Sequence, residues 1–122
     1  MKALSVLQPY ASMVASGEKT IETRTWATKY RGPFLIVSSK NRSLIARGSK
    51  LPLGFALCTT RLVDCRPMTK DDEKAACCEL YSRAVAWILS GTKAISRPFP
   101  VKGQLGLFEV KLDGETLDGV VK

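Results

Sequence analysis

Gly17-Glu18-Lys19-Thr20-Ile21-Glu22-Thr23-Arg24 is the stretch whose reading decides the fold. Before it, Tyr10, Met13 and Val14 keep helical spacing, and Pro9 suits a first helical turn, where a missing N–H costs nothing. Gly17 is a structural turn residue that ends this helix by accepting a positive φ. From Thr20 to Trp26 the pattern changes to period two with Thr and Ile abundant, which predicts a strand. Glu22 and Arg24 then project from one face about 7 Å apart, with Lys19 in the turn just before them. One carboxylate among two cations suits binding: the cations meet a phosphate while Glu22 accepts from a base amino group or a ribose hydroxyl. It also suits catalysis, with Lys19 as nucleophile or base. Spacing alone fits equally a surface ion pair worth under about 1 kcal/mol.

Working outward, Ala3–Leu7 reads as a first strand and Phe34–Ser38, after the Gly32–Pro33 break, as a buried one. Asn41–Arg47 is expected to make a helical turn. Leu53–Asp64 is the longest strand candidate, bent at Thr59–Thr60. Thr69 followed by Asp71 and Asp72 marks a capped helix running to about Leu80. Ala84–Leu89, Lys93–Arg97 and Gln104–Lys111 read as three closing strands, with turns at Ser90–Gly91 and Lys102–Gly103. Trp87, between Val85 and Ile88, is assigned to the core. Five or six short strands with a few helical insertions predict a partly closed barrel. The last third lacks the strand–helix alternation of a doubly wound fold, and there is no Gly-rich phosphate loop.

Composition narrows the chemistry. The 122 residues are expected to form one domain over 1–122, and 45% hydrophobic with 25% charged residues excludes disorder. No apolar run reaches the length of a membrane span, and Met1–Tyr10 lacks the apolar stretch of a signal peptide, so a cytoplasmic location is expected and no membrane partner. Histidine is absent, which excludes Ser-His and Cys-His nucleophiles and His-ligated zinc. Cys58, Cys65, Cys77 and Cys78 have no C-x-x-C spacing and read as reduced thiols, so neither a metal nor a cofactor is expected. The net charge is +8. Most of it lies between Lys19 and Lys50, where eight cations are opposed only by Glu22. That asymmetry fits a polyanion binder, and equally a solvated basic face.

The spacing G-x-K-x-x-E-x-R, matched at Gly17, Lys19, Glu22 and Arg24, resembles the motif of the ASCH domain family, part of the PUA-like superfamily of small β-barrels associated with RNA. Ala3–Ala11 is similar to the family's opening, Tyr30–Pro33 to a strand connection, Leu62–Cys65 to its central strand and Pro100–Phe108 to its closing strand. The resemblance implies an α+β, PUA-like β-barrel of five to six strands with two or three short helices. It also implies a cleft beside the first helix, lined by the motif and taking nucleic acid. Small bacterial members hydrolyse 4-N-acylcytidine with a Lys, a Thr and a Glu. Lys19 matches that Lys; the Thr position is Glu22, with Thr20 and Thr23 as neighbours, and Asp71, Asp72 and Glu73 are loose counterparts of the Glu. Other members are ribonucleases or nucleic-acid binders.

The expected function is therefore binding of RNA, another nucleic acid or a nucleoside-like molecule through a basic cleft. The expected ligand contacts are Lys19, Glu22, Arg24, Trp26, Tyr30, Arg31, Lys40, Arg42 and Lys102. Trp26, Tyr30 and Tyr10 are candidates to stack on an unpaired base, Trp26 alternatively a lid over the barrel end. Ser38 and Ser39 could bond a ligand or their own backbone. The alternative is a hydrolase, acting on a modified nucleoside or as a ribonuclease, with Lys19 and Glu22 catalytic. A histidine-free ribonuclease would use Lys19 or Tyr30 as base and Arg24 to stabilise the phosphorane. A third class is an adaptor that docks an acidic protein.

Overall fold

The computed structural model describes residues 1–114 and residue 120. Its strands are β1 (Lys2–Val6), β2 (Ile21–Arg24), β3 (Gly32–Ser38), β4 (Phe55–Pro67), β5 (Val85–Pro100) and β6 (Leu107–Glu109). Two helices accompany them, α1 (Tyr10–Ala15) and α2 (Glu73–Ala76), the second entered through a 3-10 turn at Lys70–Asp72. All six strands form one sheet in the order β2-β5-β4-β3-β1-β6, with β1 parallel to β3 and every other neighbour antiparallel. The result is the expected small α+β half-barrel. No described helix is long and apolar enough to cross a membrane.

The curl originates in β4 and β5, 13 and 16 residues long, whose pairing shifts register three times. Each bulge bends its strand and raises local twist. One corrects the sequence reading directly. Ser90–Gly91 is not a turn between two strands but lies inside β5, with Gly91 at φ 65°. Gly91 and Thr92 together oppose Thr60 alone, and the Thr60 and Thr92 hydroxyls bond across the bulge at 2.8 Å. A left-handed glycine serves a bulge as well as a reversal.

Other elements are shorter than expected. β2 stops at Arg24 rather than Trp26, and β6 spans only Leu107–Glu109 instead of Gln104–Lys111. Asn41–Arg47 forms no helix; Ile45 N–H bonds Arg42 O and Ser49 N–H bonds Ala46 O in separate turns. α2 ends at Ala76, not near Leu80, because Cys77 takes the left-handed conformation at φ 57°. Its start follows the expected chemistry: Thr69 N–H donates to Asp72 Oδ2 at 2.8 Å.

Burial explains the apolar patterns. Leu4, Val6, Phe34 and Ile36 face a core shared with Trp87 and, from α1, Ala11 and Val14. Their alternate neighbours Ala3, Leu35 and Val37 face a second core with Ala56, Ile95 and Phe108. β3 is thus covered on both sides, which is why it reads as an unbroken apolar run. All four cysteines are free thiols, and burial pushes Cys58 up to about 12.

Asp72 also holds Arg66 through two bonds of 2.7 and 2.8 Å. The guanidinium, followed by the Thr69 N–H, keeps the Asp72 carboxyl well below the usual carboxylate range. A depressed folded-state pKa contributes stability above the unfolded value, near about pH 4, and loses it as pH falls toward the folded value. Asp72→Asn is therefore expected to cost about 1 kcal/mol at pH 7, the scale of a lost cap. Urea midpoints of the two proteins should draw together as the pH is lowered from 5 to about 2.

Candidate nucleic-acid interface

β2 lies at one edge of the sheet and β1 next to the other, and no strand pairing joins them. The curl brings them within reach of one side chain. Arg24 Nη2 of β2 donates to the Ser5 carbonyl of β1 at 2.7 Å. That carbonyl lies just past the β1–β6 pairing, which ends at Leu4 opposite Leu107. A cleft of about 990 Å³ opens along this seam.

The motif forms its floor. Gly17, at φ 87°, reverses the chain after α1, and Lys19 N–H bonds back to Met13 O at 3.0 Å. Lys19 is buried, 2% exposed. Its ammonium donates to the Ala76 carbonyl at the end of α2, lies 3.6 Å from Glu22 Oε1 and stands 4.7 Å over the Tyr10 ring. Thr20 N–H takes the neighbouring Ala75 carbonyl at 2.9 Å. Lys19 and Thr20 thus supply donors to carbonyls that a helix end leaves open. Glu22, 5% exposed, turns its other oxygen to Arg24, 3.1 Å from Nε and 2.9 Å from Nη2. The three charges form one chain, cation–carboxylate–cation, ending on Ser5. Burial first, then Cys78, Cys77, Glu22 and Tyr81, raises the Tyr10 pKa, so its phenol stays a neutral donor and acceptor at pH 7.

Of the remaining candidate residues, Lys40 and Lys102 line the cleft. The Lys40 stem crosses Gly54 so closely that a Cβ there would lie 2.7 Å from Cε. Only a glycine leaves room for that path. Trp26, Tyr30, Arg31 and Arg42 do not line the cleft. Trp26 stands edge-on to Trp87, 4.9 Å between centroids, and its carbonyl accepts the Trp87 Nε1–H at 3.1 Å, so it packs on the core residue Trp87. The Tyr30 hydroxyl donates to the Pro33 carbonyl. Arg31 bonds the Thr28 and Tyr30 carbonyls and lies 3.8 Å from Asp64, while Arg42 reaches the Ala46 carbonyl at 3.4 Å. Ser38 lines the cleft, yet its hydroxyl is engaged by the Phe55 N–H and carbonyl.

Among the described residues, the charged side chains along the cleft are four cations, Lys19, Arg24, Lys40 and Lys102, and one carboxylate, Glu22. Sequence reasoning missed Ser5, Cys78, Tyr81 and Leu105, the last fully exposed at the rim. No local pattern marks them, because the curl of the sheet brings them together. Among the described residues, no three His, Cys, Asp or Glu side chains converge as a metal site.

A family model for the ASCH domain matches residues 4–99. The chain is also similar to the crystal structure of ASCH from Zymomonas mobilis, at 16% identity and a TM-score of 0.66, over 98% of this chain and 92% of that one. Two point variants of that Zymomonas mobilis protein match at 15% identity and TM-scores of 0.63, over 98% of this chain and 95% or 93% of theirs. At these identities the likeness is one of fold. No curated protein matches the sequence.

Proposed function

The chain belongs to the ASCH domain family, and we propose that its cleft binds an unpaired nucleotide of single-stranded RNA. The observation that carries this reading is the four-to-one excess of cations over carboxylates, among the described residues, around a concave site that also holds Tyr10 and Tyr81. Lys40 and Lys102 offer charge to the phosphates, while Tyr10, beside the buried Lys19–Glu22–Arg24 chain, offers a phenol hydroxyl to a base or ribose. Leu105, with no cover of its own, gives an apolar surface for a base to shield.

Phosphate binding displaces counterions, so affinity for a labelled single-stranded RNA should fall steeply between 50 and 200 mM salt, a range chosen on the order of physiological ionic strength. Replacing both Lys40 and Lys102 by Gln should weaken binding and reduce the log–log salt slope by about 1.4, from about 0.7 per lost phosphate contact. Binding that ignores salt, or a double variant with an unchanged slope, would remove the basis for this reading.

One observation favours a hydrolase as the second reading: Thr23 lines the cleft beside the buried Lys19–Glu22 pair. On that reading the protein turns over 4-N-acylcytidine, and Lys19→Met abolishes turnover while the fold survives. The hold of Ala76 and Glu22 on the Lys19 ammonium suits a fixed cation better than a base.

A further inference from the structure

Tyr81 lines both the cleft and a separate, more open groove of about 490 Å³ that it forms with Pro67, Met68, Leu80, Ser82, Arg83 and Ala84. A tight turn presents this wall: Ala84 N–H bonds the Tyr81 carbonyl at 3.2 Å, and Arg83 takes the left-handed conformation at φ 62°. Leu80 and Tyr81 are large apolar residues that stand exposed side by side in the chain. Arg83 is exposed and makes no ion pair among the described residues. Of the carboxylates that precede it, Asp72 is held by Arg66 and Glu73 accepts the Leu80 N–H at 2.7 Å, while Glu79 is exposed to solvent.

We infer that this groove is a second nucleotide subsite, joined to the cleft across Tyr81, so that the ligand is a strand of at least two nucleotides rather than a free nucleoside. The inference rests on the nucleotide reading of the cleft. An apolar floor with an aromatic wall and one uncommitted guanidinium matches a base that stacks while its phosphate meets a cation. Continuity across a single side chain places the two subsites next to each other, as consecutive nucleotides require. The groove adds a place beside the cleft for the neighbouring nucleotide.

The test compares uridine 5′-monophosphate, a uridine dinucleotide and a uridine octanucleotide by calorimetry or competition. The wild-type protein should bind the dinucleotide about tenfold or more tighter than the monomer, the scale of one stacked base. Leu80→Ser and Arg83→Gln, two exposed positions outside the cleft, should remove most of that gain and leave monomer affinity within about twofold. Their melting temperatures should match the wild type, which separates lost contact from lost fold. Equal affinity for monomer and dinucleotide would overturn the second subsite while leaving the cleft reading intact. So would groove variants that keep the full gain. If none of the three probes binds, both readings fall.

Discussion

Glu22→Ala is expected to lower stability by about 3 kcal/mol, or about 10 °C in melting temperature for a chain of this size. The cause is the charge it leaves behind. Lys19 is almost wholly enclosed, and its nearest counter-charge is the Glu22 carboxylate at 3.6 Å. The Ala76 carbonyl and the Tyr10 face remain, which places the loss at the lower end of the range for a broken buried pair. Arg24 suffers less, because its side chain is 25% exposed and can take water in place of Glu22. Removing both ends of the pair should behave differently. Lys19→Met with Glu22→Leu leaves no enclosed ammonium unpaired and fills similar volume, and the part-exposed Arg24 keeps the Ser5 carbonyl, so stability should return to within about 1 kcal/mol of the wild type. Urea unfolding of the two singles and the double closes that cycle. In the restored double variant the cleft has lost its central charges, so RNA affinity should still drop by about tenfold or more, as for charged contacts that have lost a partner. A Glu22→Ala protein as stable as the wild type would mean that Lys19 reaches solvent and that the three charges are not coupled.

That coupling was partly legible in the sequence, for a definite reason. Glu22 and Arg24 share a short strand, so period two puts them on one side, and Gly17 marks the reversal that delivers Lys19. The partners of this trio were not legible. The Ser5 and Ala76 carbonyls come from distant segments that the curled six-stranded sheet and α2 bring to the motif. Trp26 and Tyr30 are close to the motif in sequence, but β2 ends at Arg24 and the chain then turns to cover Trp87 rather than the cleft. Secondary structure failed where one signal has two uses. Ser90–Gly91 carries the chemistry of a turn and of a bulge alike, and only the pairing of β5 along the whole of β4 decides between them. The early stop of α2 was hidden for the opposite reason. A non-glycine residue, Cys77, takes the left-handed position, and nothing in its side chain announces that. β3 was the easiest strand to read, since burial on both faces leaves an apolar run with little else to fit.

The second large effect is expected at Trp87, where core and cleft meet. Trp87 is fully buried and directly opposes Glu22 across the β2–β5 pairing, with Cys65 opposite it on β4. Directly opposed residues point to the same side of a sheet, so the indole packs beside the carboxylate that holds Lys19 and Arg24. Trp87→Ala removes that support and leaves a cavity, at an expected cost of about 3–5 kcal/mol. Trp87→Phe keeps most of the volume but leaves the Trp26 carbonyl without the Nε1–H donor, so its cost should be smaller, about 1–2 kcal/mol. Urea midpoints rank the two variants, and in Trp87→Phe the emission of Trp26, the one remaining tryptophan, reports whether its indole stays in place. The site should register the same order. With alanine below it, Glu22 can rotate away from Arg24, the Arg24–Ser5 bridge loses its fixed partner, and RNA affinity falls with stability. With phenylalanine the carboxylate stays packed and affinity should hold within about twofold, less than one lost hydrogen bond. Equal losses from both substitutions would show that the indole bond to Trp26, and not the packing under Glu22, keeps the seam of the barrel in register.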